Sequence, residues 1–140
     1  MKTRYSIILK LKRQIVGEIE NKLSRLEGSI NSTRLSIEKL KINLCALSVP
    51  QSGEFTQALI SHELANAYRC DITQNELALQ RLFVAKHSAQ MELSEAKKEE
   101  EKILYLENEE IRQAKMKKKT AEAKELDEIG MMLYNNKVIS

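Results

Sequence analysis

Residues 48–53 read Ser-Val-Pro-Gln-Ser-Gly, the only cluster of chain-breaking residues in a sequence of 140. Proline fixes φ and lacks a backbone donor, whereas glycine accepts a left-handed turn. A helix should therefore end before Pro50 and another begin after Gly53, with the turn at about 48–54. Upstream, apolar residues recur at alternating spacings of three and four: Leu9, Val16, Leu23, Ile30, Ile37 and Leu44 in one set, Tyr5, Ile19, Leu26, Leu40 and Leu47 in the other. This heptad seam predicts a first helix over about 2–47, with Lys12 and Thr33 as its polar interruptions. Gly17 and Gly28 lie inside it, each costing about 1 kcal/mol against Ala, so seam packing must outweigh propensity.

Downstream, Phe55, Leu59, Ile60, Leu64, Tyr68 and Ile72 resume the pattern, followed by Leu79, Leu82, Ala89, Leu93, Ala96 and Ile103. A second helix is expected over about 55–134. Asp71 could cap a fresh start at Ile72, which leaves open a break near 70. From Lys97 to Lys119 charge crowds out the apolar stripe; Leu126, Ile129, Met132 and Leu133 restore it before Asn135 and Asn136, where the helix is expected to end.

At 1.5 Å per residue the arms span about 70 Å and about 120 Å, so they cannot match end to end. If Leu47 lies close to Phe55, Tyr5 falls opposite about Lys97 and the charged remainder projects. The expected fold class is all-α, an antiparallel two-helix coiled-coil hairpin with an overhanging C-terminal helix, in one coiled-coil domain over 1–140.

Composition agrees and narrows the function. With no Trp, two Phe, 42% hydrophobic and 31% charged residues, the chain lacks the means to build a compact multilayer core around a reaction chamber, and no enzyme is expected. His62 and His87 stand 25 residues apart, as do Cys45 and Cys70, and no CxxC pair or phosphate-binding glycine loop occurs. The thiols read as small hydrophobes near the turn, His62 as a surface or seam-flanking residue, and the neighbours Glu109 and Glu110 as solvated. Catalytic residues, cofactor and metal are therefore expected to be absent. The longest charge-free stretch, Ile42 to Gly53, is about half of what a bilayer-spanning helix needs. Basic residues cut the early apolar run Ile7, Ile8, Leu9 far short of a secretory leader, so the reducing cytoplasm is the expected compartment.

Net charge is +3, but it is unevenly spread: residues 1–47 carry ten basic and four acidic groups, residues 48–96 three and six. Nucleic acid binding is not implied, because acids interrupt the basic runs and aromatics for stacking are few. Two basic patches stand out, Lys2, Arg4, Lys10, Lys12 and Arg13, and Arg112, Lys115, Lys117, Lys118 and Lys119. They could meet an acidic partner at one end of the hairpin or serve as solvated faces. On the second arm Phe55, Leu59, Ile60, Leu64, Tyr68 and Phe83 exceed what one narrow stripe can bury, which suggests a docking surface or a short covering helix.

The basic start Met1, Lys2, Thr3, Arg4, Tyr5, the two heptad-bearing arms and the ending Ala121, Glu122, Ala123, Lys124, Glu125, Leu126, Asp127, Glu128, Ile129 together resemble the FliJ family, a small coiled-coil component of the flagellar type III export apparatus. Gly130 departs from it, since the family more often has a small helix former there. The resemblance implies a stalk similar to the central shaft of rotary ATP synthases. Its end bearing both termini would enter the hexameric ring of the export ATPase FliI and promote its assembly or activity. It also implies contacts with the cytoplasmic domain of the export gate FlhA and with export chaperones, at the inner membrane through partners only. By that analogy the two basic patches face the ATPase ring, and Phe55, Leu59, Ile60, Leu64 and Tyr68 face the gate. A scaffold that self-associates through its seams, and the equivalent stalk of a virulence secretion system, remain the alternatives.

Overall fold

The computed structural model describes residues 3–47 and 55–139, the side chains of 138 and 139 excepted; the expected turn and Lys2 lie outside them. Two α-helices account for nearly all of this: α1, Tyr5–Ala46, and α2, Phe55–Ile139, with no strand among the described residues. At the start of α1 the Thr3 hydroxyl accepts from the Tyr5 amide at 3.2 Å, and the Ser6 hydroxyl accepts from the Thr3 amide at 2.9 Å. These bonds satisfy backbone donors that a helix start leaves free.

α2 runs without a break through the region where Asp71 could have restarted it. The Asp71 and Arg69 carbonyls accept from the Asn75 and Thr73 side chains one turn on, as helix interiors allow. The helix also passes Gly130, Asn135 and Asn136 and extends to Ile139, beyond the ending expected at 134. Asparagine and glycine lower helix propensity without forbidding the conformation, and no Pro follows to stop it.

Contacts divide the chain into two units, each drawing on both helices: residues 1–15 with 96–140, and residues 16–95. In the second unit the seam of α1 is buried at Val16, Ile30 and Ile37 and half-buried at Ile19, Leu23, Leu26, Thr33, Leu40, Leu44 and Leu47. Facing it, α2 contributes Ser61, Ala65, Tyr68, Ile72, Asn75, Leu79, Leu82, Lys86, Ala89 and Leu93, again at spacings of four and three. Flanking pairs join Lys22 to Glu92 at 3.7 Å and Glu27 to Lys86 at 3.7 Å, and the Arg34 guanidinium lies 5.2 Å from the Phe83 ring centre. Partner numbers fall on α2 as they rise on α1, the order that hairpin packing requires.

In the first unit Leu9 is buried and Tyr5 and Lys12 are half-buried, against Ala96, Glu100, Ile103, Glu107 and Glu110. Three of those five α2 positions are glutamates, so the seam here is polar. The Ser6 hydroxyl donates to Glu107 at 3.2 Å, and Arg13 and Arg4 pair with Glu100 and Glu110 at 3.4 and 3.6 Å. Tyr5 therefore lies near Glu107 to Glu110 rather than opposite Lys97. In the other unit Leu44, Cys45 and Leu47 line one depression with Ala58, Ser61, His62, Ala65 and Arg69. The end of α1 packs beside 58–69, and the first turn of α2 stands past it.

Candidate interaction surfaces

The N-terminal cations are partly committed to the chain itself. Arg4 reaches Glu110 and also lies 5.0 Å from the Tyr5 ring centre, while Arg13 reaches Glu100. Lys10 is exposed and Lys12 half-buried in the seam. Glu110 Oε2 and Glu107 Oε2 are buried without a hydrogen bond, the former still 3.6 Å from Arg4 Nε. The glutamates expected to be solvated are thus engaged, because a heptad position on α2 turns Glu110 toward α1 and the three-residue spacing turns Glu109 toward Arg112.

Arg112 pairs with Glu109 at 2.8 Å, and this hydrogen bond holds the Glu109 carboxyl below the usual carboxylate range and raises the guanidinium. Lys115, Lys117, Lys118 and Lys119 are exposed, and no ion pair among the described residues takes them up. Within this unit Arg4 and Arg112 come to the neighbouring Glu110 and Glu109, and the open positive charge is concentrated on Lys115, Lys117, Lys118 and Lys119.

The proposed apolar surface divides. Phe55, Leu59, Ile60 and Leu64 are exposed by 80%, 45%, 58% and 43%, off the seam, which at this end runs through Ser61 and Ala65. Tyr68 instead is a half-buried seam residue. Phe83 is exposed and stacked by Arg34. His62 is exposed beside Asn66, and Cys45 and Cys70 are exposed free thiols rather than packed hydrophobes.

Two apolar sets escaped the sequence reading as surfaces. Ile7, Ile8, Leu11 and Ile15 are exposed on α1, and their spacing of three and four beside the seam was the available clue. Leu126, Ile129, Met132 and Leu133 are exposed on α2, where every described residue from 112 to 137 is exposed. No group of three metal-ligating side chains occurs among the described residues, and no helix is long and apolar enough to cross a membrane.

What this arrangement can do is present side-chain surfaces on long helices: it defines a helical coiled-coil interaction protein. The sequence matches the family described as FliJ, Flagellar FliJ protein, over residues 1–138, and the chain belongs to that family. It is accordingly a structural component of the flagellar type III export apparatus. No curated protein and no solved structure matches it.

Proposed function

We propose that this chain is the stalk of the flagellar export ATPase: an antiparallel coiled coil whose C-terminal overhang and adjoining N-terminus engage the FliI ring and promote its assembly or activity. The observation that carries the reading is the exposed run Arg112, Lys115, Lys117, Lys118 and Lys119 in a stretch of α2, 112–137, where every described residue is exposed. Contacts of this kind need surface charge and a stiff element, not a catalytic group. Arg4 and Arg13, held by Glu110 and Glu100, contribute less free charge than Lys10, Lys117 and Lys118.

The same reading gives FlhA the exposed Phe55, Leu59, Ile60 and Leu64, with Tyr68 beneath them in the seam. Export chaperones are further partners, and attachment to the inner-membrane apparatus runs through these proteins. Reversal of Lys2, Arg4, Lys117 and Lys118 to Glu is expected to weaken ATPase stimulation at unchanged helicity. Unchanged stimulation removes the electrostatic part of the proposal. Ile60→Ala with Leu64→Ala is expected to weaken binding to the FlhA cytoplasmic domain in a calorimetric titration; wild-type affinity rejects that surface.

A further inference from the structure

Beyond Glu110, α2 carries a second heptad stripe, rotated from the seam and exposed from Lys115 onward. It consists of Ile111, Lys115, Lys118, Glu122, Glu125 and Ile129, at spacings of four, three, four, three and four. Those residues share one helix face, since such spacings track the 3.5-residue repeat of a coiled coil. Ile111 is half-buried, Ile129 is 53% exposed, and the four charged residues between them are exposed. None of the four joins an ion pair among the described residues.

The stripe is its own complement in reverse. Read toward the C-terminus it runs apolar, cation, cation, anion, anion, apolar, and the spacings are the same in either direction. A second copy laid antiparallel, with the twofold axis level with Thr120, sets Lys118 against Glu122, Lys115 against Glu125 and Ile111 against Ile129. Each match occurs twice, because the interface is isologous. A parallel copy would instead set lysine on lysine and glutamate on glutamate, which like-charge repulsion disfavours.

We propose that α2 residues 111–129 form a self-recognition surface through which two copies of this chain pair antiparallel. The contact is separate from the α1–α2 seam and does not rest on the stalk reading. Exposed ion pairs are individually weak and screened by salt, so the dimer is a low-affinity, salt-sensitive one. It covers Lys115 and Lys118, so a paired chain withholds them from any acidic partner.

Sedimentation equilibrium on the full chain tests this without the ATPase. The wild type should dimerise with rising concentration at about 20 mM salt and revert toward monomer at about 500 mM, where the screening length is a few ångströms. The pair Lys115→Glu with Lys118→Glu, and separately Glu122→Lys with Glu125→Lys, should each weaken self-association by about tenfold or more, with helicity checked by circular dichroism. Mixing these two variants should yield a heterodimer tighter than the wild-type dimer, and the fourfold reversal, which restores complementarity, should self-associate again. A wild type that stays monomeric across both salts, reversed variants that dimerise like the wild type, or a mixture that does not associate would each overturn the proposal.

Discussion

Glu107→Leu should tighten the polar unit that holds the start of α1. Glu107 sits at a seam position and its Oε2 is buried without a hydrogen bond, while Oε1 accepts from Ser6. An unbonded buried oxygen costs about 1–3 kcal/mol, and the lost Ser6 bond returns about 1 kcal/mol. Ser6 still accepts from the Thr3 amide, and its freed proton can turn to the Thr3 hydroxyl 3.5 Å away. A leucine buried to the half-covered level of this site contributes roughly 1–2 kcal/mol, given 1.5–3 kcal/mol for complete burial. The net effect is about 2 kcal/mol in favour of α1 docking, or about thirtyfold in its opening equilibrium. Amide hydrogen exchange over residues 5–13 reads that equilibrium directly, and protection there should rise while residues 26–40 stay unchanged. Protection that is unaltered or reduced over residues 5–13 would refute the view that the glutamate seam is the weak part of this unit.

Ile30, only 3% exposed, and Leu35, 62% exposed, share a helix but not a face; Ile30→Ala should cost about 2–4 kcal/mol in denaturant titration and Leu35→Ala within about 0.5 kcal/mol. Equal costs would contradict the heptad packing of α1. A Cβ added at Gly28 meets nothing within 4 Å, so Gly28→Ala should stabilise α1 by about 1 kcal/mol, visible as a raised midpoint in thermal melts. Because Arg112 lowers the Glu109 carboxyl, their contact favours folding above the unfolded-state pKa and is lost as pH falls through the lower folded value. In a carbon-detected titration Arg112→Gln should move the Glu109 midpoint up toward that of an ordinary carboxylate; an unmoved midpoint assigns the shift elsewhere.

The first arm was legible because its seam is written almost wholly in Leu, Ile and Val, with only Lys12 and Thr33 breaking the period. The second arm hid its face. Ser61, Asn75, Lys86, Glu100, Glu107 and Glu110 occupy seam positions, while the conspicuous Phe55, Leu59, Ile60 and Leu64 lie off the seam in the solvent. Hydrophobic periodicity sees only apolar positions, so a seam built from polar side chains and long-range pairs such as Arg4 with Glu110 is silent in one dimension. Register was hidden for the same reason, since matching Leu47 to Phe55 ignored that α1 packs against α2 beginning near Ala58. Charge patches were visible from residue type alone, but which cations stay open depended on the partners the fold supplies. Among the described residues Arg4, Arg13 and Arg112 find carboxylates, and Lys115, Lys117, Lys118 and Lys119 do not.

The most direct measurement is ATP hydrolysis by the cognate hexameric export ATPase titrated with the purified full chain, with copurification scored in parallel. The stalk account predicts that the two proteins copurify and that turnover rises to a plateau as the chain is added. An ATPase whose rate stays flat at saturating chain, and which elutes apart from it, would contradict the account.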